Sequence, residues 1–590
     1  MKSTIMDIMK NAAARFDSLP ALKTKINGKW QETSWEAYHS STRTAARAFM
    51  ALGLEPGRSV CILGTNRPEW FIADLGAIFA GGMATGIYTT SSPEQCRYIA
   101  EHSDADILVA ENKDQLAKFK AVLEHLPRIK AIVIMEGEDE DFRVHTWKDL
   151  ERLAQKVPDK DLDLRIAQQS PDDCCTLIYT SGTTGDPKGV MITHDNAMWT
   201  AGRLVESTHA NREDKLISYL PLSHIAEQIA TLYSPLICGS CTFCVQDIDT
   251  LGQTLAEVRP TIFIGVPRVW EKIQAKMMEA GRQNSGLKKK IAAWARQVGI
   301  EWGKGLQEGK SPPLLFRPAD SLVFSKVRQK LGFDHCRLFF SSTAPISMDT
   351  LEFFMSLGIP ITEIYGMSEC TGPATLSLPR AFKFRTGWAG QAMDGTQIST
   401  AEDGEVLMRG RHVFKGYYKN KTASKEALAS DGWLSSGDIG RIDDAGFLKI
   451  TDRKKELIIT SGGENIAPQV LEGKFKAIPA VSQVVVIGNN RKYPSALITL
   501  NPLALRQEAR IAGSTATTAQ EAAGCEKFNI YLQAQINKIN RTLSRVQAIK
   551  RFTILPEEFS IDGGELTHTM KLKRRVVHEK YASSIEAMYA

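Results

Sequence analysis

No stretch of this chain is apolar for long enough to cross a bilayer. The best run, Leu75 to Tyr88, is short, carries glycines and is bordered by Asp74. A secretory leader is missing too, because Asp7 interrupts the start before any apolar core develops. Ile5, Met6, Ile8 and Met9 instead have the spacing of the buried stripe of a first helix. The ten cysteines show no disulfide framework, and no internal repeat is visible. These absences point to a reducing cytoplasm, with the chain either in solution or peripheral on the inner face of a membrane. Charge bias is also slight: 73 basic against 67 acidic residues leave +6 on 590 residues. That excludes no function, gives no argument for nucleic acid and suits a protein that handles polyanions.

What is present describes an ordinary globular protein, 43% hydrophobic and 24% charged. Its length exceeds what one hydrophobic core serves, so two or more domains are expected. Helical spacing over Trp35 to Leu52 and Pro68 to Phe79 alternates with short apolar runs at Ser59 to Leu63, Ile107 to Ala110 and Ile132 to Ile134. That alternation implies βαβ units and mainly parallel sheets, whose ligands sit at the carboxyl ends of strands. A strand from Thr261 to Gly265 and a helix from Arg268 to Ala280 continue the pattern. The basic stretch Leu287 to Lys310, with Trp294 and Trp302, is a candidate for contact with a membrane surface; a solvated helix face is the alternative.

Near residue 450 the composition changes. Asp452-Arg453-Lys454-Lys455-Glu456 is a charge run between apolar strands at Phe447 to Ile450 and Leu457 to Ile459. It divides a large α/β domain, 1–451, from a smaller α+β domain, 457–590, with 452–456 as linker. Within the smaller domain, Ala512 to Gly524 reads as a surface loop. Cys238-Gly-Ser-Cys241-Thr-Phe-Cys244 has metal-like spacing but lacks a second cysteine or histidine pair. Its apolar neighbours make it a buried strand in which cysteine acts as a small hydrophobe.

The strongest local signal is Leu177-Ile-Tyr-Thr-Ser-Gly-Thr-Thr-Gly-Asp-Pro-Lys-Gly-Val190. An apolar strand runs through Thr180 into Ser181, Gly182, Thr183, Thr184 and Gly185, with Lys188 close behind. Glycines let backbone N–H groups approach phosphate oxygens, hydroxyls add donors and a lysine neutralises charge. A Walker loop is excluded, since Lys188 follows Pro187 and precedes Gly189 instead of entering a helix behind Gly-Lys-Ser/Thr.

This loop resembles the phosphate loop of the adenylate-forming (AMP-binding) superfamily, which includes acyl-CoA synthetases, luciferases and peptide-synthetase adenylation domains. Further motifs in the same order extend the likeness over nearly the whole chain. Cys61-Ile-Leu-Gly-Thr-Asn-Arg-Pro-Glu-Trp70 and Gly86-Ile-Tyr-Thr-Thr90 are most similar to the bubblegum-type long-chain acyl-CoA synthetases. The resemblance implies a small distorted β-barrel beside the parallel sheets, and a mobile C-terminal domain.

Several residue roles follow from the resemblance. Tyr365-Gly366-Met367-Ser368-Glu369 places Tyr365 on adenine, Ser368 on phosphate and Glu369, with Thr184, on Mg²⁺. Ser342, Thr343, Ala344 and Pro345 form an adenine-side loop. Asp438 accepts the ribose hydroxyls, with Arg453 completing the ribose and phosphate contacts. Lys571 is the catalytic lysine, with Lys573 a rival. Here Met570 stands where the family has glycine, and His568 where long-chain members often have proline. His224 lies beside the substrate carboxylate, Trp270 matches a gate tryptophan, and a buried packing role is the alternative for each. Lys455 is the hinge pivot, and Gly462, Gly463 and Glu464 shape the coenzyme A tunnel.

The implied activity is ATP-dependent conversion of a long-chain fatty acid to an acyl-adenylate and then to acyl-CoA. The near-lack of carboxylates in Ile225 to Ile229 and Ile262 to Val269, where Glu227 is the exception, favours an acyl chain over an amino acid. The alternatives are a ligase for medium-chain or aromatic acids, an enzyme that loads a carrier protein, and a non-catalytic acyl or nucleotide binder of the same fold.

Overall fold

The computed structural model describes residues 2–180, 186–282, 285–380, 382–461, 464–567 and 570–590, without the Arg282 side chain. Its central sheet has eight strands, in the order Gly416–Tyr417, Lys188–Thr193, Cys174–Thr180, Met83–Ile87, Ser59–Leu63, Ala105–Ala110, Ala131–Ile134 and Val144–Thr146. From Cys174–Thr180 to Val144–Thr146 every pairing is parallel; Lys188–Thr193 joins antiparallel at the opposite side. The helix Pro68–Phe79 is buried from Trp70 onward, so it lacks a polar face. The longest apolar run of the sequence is therefore this helix's end, a turn at Gly81 and the buried strand Met83–Ile87. No helix among the described residues is long and apolar enough to cross a membrane.

A second sheet runs Ile262–Gly265, Leu338–Ser341 and Ile361–Met367 in parallel, then turns antiparallel through Gly372–Leu376 and Gln391–Ala392. A third joins Lys215–Ser218, Cys241–Cys244 and Pro20–Ile26 in parallel, with Lys29–Ser34 antiparallel at its edge. The barrel implied by the resemblance takes the form of a half-barrel: a four-stranded antiparallel sheet of Gln397–Thr400, Glu405–Arg409, Leu434–Ile442 and Leu448–Arg453. The C-terminal unit has its own core around Val481–Ile487, Ser495–Leu500 and Arg551–Ile554, covered by Pro468–Phe475 and Glu526–Asn540.

Four local readings change. The strand expected to end at Ile450 continues to Arg453, because Arg453 pairs across the ladder with Asp438. What remains of the linker is a single 3₁₀ turn, Lys454–Glu456. Ala512 to Gly524 is a loop only in its first half. Thr518 and Glu521 form a capping box that starts the helix Ala519–Gly524, and Ala516 and Ala522 are buried. In the cysteine cluster, Leu236 and Ile237 lie in the short helix Ser234–Cys238, and only Cys241 and Cys244 stand on a strand. All three cysteines are buried, burial raises the Cys241 thiol to about 12, and no group of three metal-binding side chains exists among the described residues. Finally, Trp302 packs on Phe316 at 4.8 Å and Trp294 against a cluster of Ala295, Val298, Ala319 and Phe324, so neither indole is spread out on the surface.

The two parts of the chain touch beside the helix Pro267–Arg282. Arg268 donates to the Ser482 carbonyl at 3.4 Å, and Lys476 lies 4.0 Å from Glu271. The buried Asp452 carboxylate accepts the Gln469 N–H at 3.1 Å, across the linker and in the first turn of Pro468–Phe475. This arrangement sets where the tail of the chain meets the larger part.

Candidate active site

The hydroxyl-rich loop joins two antiparallel strands. Thr180 ends one and pairs directly with Lys188, which opens the next, so a strand and not a helix follows the lysine. Ser181, Gly182, Thr183, Thr184 and Gly185 lie outside the described residues. The exit of the loop is held by Tyr98, whose hydroxyl donates to the Pro187 carbonyl at 3.1 Å. Tyr98 stacks on His102, whose Nδ1 is 2.8 Å from the Tyr179 hydroxyl. Lys188 extends its ammonium over the Tyr417 ring, 4.8 Å from the centroid. The Tyr417 hydroxyl in turn donates to Glu369 Oε1 at 2.8 Å.

Glu369 is reached from the second sheet. The strand Ile361–Met367 ends in a 3₁₀ turn, Ser368–Cys370, with both Ser368 and Glu369 buried. The chain then doubles back, with Thr371 and Gly372 at positive φ, into Gly372–Leu376. A Cβ on Gly366 would overlap the Gly372 carbonyl, so this crossing admits only glycine. Met367 donates its N–H to Cys370 Sγ at 3.2 Å, tightening the turn.

The group expected on the ribose side comes from the half-barrel. Asp438 and Arg453 are direct cross-strand partners, and Arg453 Nε lies 3.0 Å from Asp438 Oδ1. Tyr365 donates its hydroxyl to Asp438 Oδ2 at 2.8 Å. Each carboxylate oxygen thus has one protein donor and keeps acceptor capacity for more. Burial and the neighbouring Asp438 charge push the Tyr365 phenol well above its ordinary range, so it stays a donor. In the adjoining loop Ser342 donates to the Ile364 carbonyl at 3.3 Å, and Ala344 and Pro345 follow. Thr343 has φ 75, and its hydroxyl, like that of Ser341, is buried with no hydrogen-bond partner among the described residues. Orphaned polar atoms beside a strained residue at a strand's carboxyl end mark a ligand position.

His224 and Lys571 close the site from two further directions. His224 caps the turn Ile225–Glu227, its Nδ1 accepting the Ala226 N–H at 3.2 Å. The neutral imidazole therefore carries its hydrogen on Nε2. Burial, with the Lys571 charge second, lowers His224 to about 3. Lys571 sits in a turn bridged by Leu566 and Leu572, where Thr567 N–H donates to the Lys571 carbonyl at 2.7 Å. Burial, reinforced by Arg453, lowers its ammonium to about 8, while Asp438, Glu369 and Glu456 act in the opposite sense. The charges of Arg453, Asp438 and Glu369 thus act on Lys571, and the Lys571 charge acts on His224. Lys573 is at the entrance of the helix Arg574–Lys580.

Three further sequence-derived positions remain. Trp270, expected as a gate tryptophan or a buried packing residue, is fully buried. It packs against Phe263, Phe333, Phe339 and Phe354 and donates Nε1–H to the Phe340 carbonyl at 3.1 Å. An indole fixed on all sides is a wall in this arrangement. Lys455 is exposed in the linker turn. Glu464 is exposed beside the short pair Ile458–Ile459 and Asn465–Ile466, and Gly462 and Gly463 lie outside the described residues.

Two features escaped the sequence reading. Tyr417 joins Lys188 to Glu369 from a two-residue strand that carries no local signature. Arg574 donates to Glu456 at 2.9 Å and to both oxygens of Glu472 at 2.7 and 2.6 Å, which ties the lysine-bearing segment to the end of the linker turn. The only signal for it was charge close to Lys571.

Two family models account for most of the chain: AMP-binding enzyme over residues 9–418, and AMP-binding enzyme C-terminal domain over 455–590. The long-chain-fatty-acid–CoA ligase ACSBG2 of Xenopus laevis is 44% identical, covering 99% of this chain and 84% of that protein. The human ACSBG2 ligase is 40% identical over 99% and 92%. Among solved structures, the anthranilate CoA ligase AuaEII in complex with anthranoyl-AMP superposes with a TM-score of 0.75 at 19% identity, covering 99% of this chain and 98% of that one. The A domain of carboxylic acid reductase from Segniliparus rugosus gives the same TM-score and identity over 99% and 94%. At these identities the structural likeness shows the fold alone.

The electrostatic setting of Lys571 predicts its titration. An amine-reactive label should modify it with a half-maximal rate near pH 8, well below ordinary lysines, read by peptide mass spectrometry. Arg453→Ala removes a repulsive cation, so the midpoint should move upward; an unchanged or lower midpoint would contradict this arrangement.

Proposed function

Since the chain belongs to the AMP-binding enzyme family, we propose that it activates a long-chain fatty acid with ATP and transfers the acyl group to coenzyme A. The observation that carries this reading is the polar constellation of Tyr365 and Arg453 on Asp438 and of Tyr417 between Lys188 and Glu369, with the charges of Glu369, Asp438 and Arg453 acting on Lys571, which comes from the far end of the chain. An apolar acid suits the apolar cluster that holds Val266, Val269 and Trp270, all buried. Glu227 is a partial exception, although burial raises its carboxyl to about 7 and Thr231 donates to it at 2.8 Å. The names of the ACSBG2 relatives point the same way.

In the first half-reaction the substrate carboxylate attacks the α-phosphorus of ATP in line, and pyrophosphate leaves with the electron pair of the broken P–O bond. Two anions approach each other, so neutralisation and positioning carry most of the rate. Lys571 bridges carboxylate and α-phosphate, and Lys188 faces the outer phosphates. His224 offers Nε2–H to the carboxylate, Asp438 holds the ribose hydroxyls, and Tyr365 flanks the base. A magnesium ion suits Glu369, a buried carboxylate with one oxygen bonded to Tyr417; with no cluster of three protein ligands among the described residues, it would share phosphate oxygens. When bound, it supplies charge neutralisation for the leaving pyrophosphate.

In the second half-reaction the coenzyme A thiol attacks the acyl carbonyl and AMP leaves. Access requires Lys571 to withdraw, by rotation of 457–590 about Lys455. The pivot is narrow. Arg453 is bound to Asp438 on one side, and Glu456 is bound to Arg574 on the other. Rotation would bring the segment around Gly462, Gly463 and Glu464 toward the thiol channel.

An exposed pair, Leu314 and Leu315, lies between Lys310 and Arg317. This is the place for peripheral contact with an anionic membrane that supplies the acid. Flotation with anionic vesicles should carry the protein upward, and Leu314→Ser with Leu315→Ser should abolish it; absence of wild-type flotation rejects the contact.

Lys571→Ala should abolish acyl-adenylate formation and spare thioester formation from supplied acyl-adenylate, whereas Lys455→Pro should do the reverse. Equal loss of both steps in either variant rejects that assignment. Tyr417→Phe, which removes the hydrogen bond to Glu369, should slow pyrophosphate release roughly tenfold and raise the magnesium requirement, as expected for about 1.5–3 kcal/mol in a bond to a charged group. The overall reading is tested by mass spectrometry of a panel of carboxylic acids incubated with ATP, Mg²⁺ and coenzyme A. Long-chain thioesters with stoichiometric AMP are expected; thioesters of short or aromatic acids alone would replace the substrate assignment.

A further inference from the structure

The residue before Lys571 is a methionine in a conformation that favours glycine: Met570 has φ 60. Its neighbours hold it there. The Met570 N–H donates to the Thr567 carbonyl at 2.8 Å, and the Lys571 N–H to Thr567 Oγ1 at 2.9 Å. A strained backbone at a non-glycine residue needs something in return, and the side chain supplies it. Met570 packs against a hydrophobic cluster whose buried members, from Ile217 to Ile361, all belong to the larger part of the chain. They include Tyr219, Val266, Trp270 and Ile346, from the elements next to His224 and the adenine-side loop. Met570 is the one residue from beyond Ile361 that joins this cluster among the described residues. Two side-chain contacts beside the helix Pro267–Arg282 are long and polar, at 3.4 Å for Arg268 to Ser482 and 4.0 Å for Lys476 to Glu271.

We propose that Met570 is an apolar latch: it seats in the acyl-side cluster when the C-terminal unit closes, and so holds the adjacent Lys571 against the reacting groups. It is a positioning residue and touches none of the reacting atoms. An unbranched, polarisable side chain suits a contact that must form and release in every turnover. Burial of the thioether favours the closed arrangement, and the left-handed backbone favours letting go, so the two effects oppose each other within one residue. The inference rests on the two-step reading given above.

The test separates the half-reactions. In Met570→Ala, pyrophosphate release with acid and ATP should fall about tenfold at saturating substrates. Thioester formation from supplied acyl-adenylate should not slow. Met570→Leu, of similar volume, should restore the first step to within about twofold. Met570→Gln, of similar length but polar, should show the same split as alanine and serves if the alanine variant does not fold. Equal slowing of both steps, an unchanged first step, or no rescue by leucine overturns the latch while leaving the two-step reading intact. A wild-type chain that releases no pyrophosphate overturns that reading and the latch with it.

Discussion

Joining a carboxylate to a triphosphate means pressing one anion onto another, and the fold is arranged around that repulsion. Positive charge must be concentrated where the two meet, yet a buried cation cluster repels itself. The structure distributes the cations over separate parts of the chain. Lys188 opens a strand of the central sheet, Arg453 ends a strand of the half-barrel, and Lys571 comes from the tail. Each has a compensating neighbour: the Tyr417 ring for Lys188, Asp438 for Arg453, and the more distant Glu369 and Asp438 for Lys571. Lys571 has the weakest compensation, its ammonium is lowered to about 8, and it alone lies beyond the linker. In the proposed rotation, the cation with the weakest compensation is thus the one that moves.

Much of this was legible in the sequence wherever the information is local. The spacing of Pro68 to Phe79, the apolar run Ser59 to Leu63 and the strand before the hydroxyl-rich loop all fold as their periodicity suggests. The motif Tyr365 to Glu369 is contiguous, so it stays together at the end of the strand Ile361–Met367 and the turn that follows. What stayed hidden depends on partners distant in sequence. Asp452 and Arg453 looked like linker because their charges are solvated in most contexts; pairing with Asp438 makes the last of them strand. Tyr417 acquires its role only because Lys188 and Glu369 lie on either side of it. Trp270 matched a gate by position, whereas its aromatic surroundings come from strands and helices between Phe263 and Phe354. The run from Ala512 to Gly524 has the composition of a loop, and the Thr518–Glu521 capping box settles half of it as helix.

The methionine ahead of Lys571 shows how a departure from a family pattern becomes interpretable. In sequence it is only a missing glycine. In the structure the backbone at Met570 adopts the left-handed conformation that glycine makes easy, at some local expense. What the substitution adds is apolar surface facing the larger part of the chain. A position that elsewhere gives freedom here gives adhesion.

The ladder pairing of Asp438 with Arg453 has a consequence for the order of events. One strand pair carries both the acceptor expected to hold the ribose and the last fixed residue before the pivot. If Asp438 holds the ribose and 457–590 turns about Lys455 as proposed, nucleotide occupancy and the stiffness of the joint are thermodynamically linked, and the linkage is reciprocal. A nucleotide that recruits the Asp438 oxygens alters how firmly Arg453 is anchored, and a domain that turns alters how well Asp438 can keep its guest. Departure of the spent nucleotide and resetting of the joint then become two faces of one equilibrium.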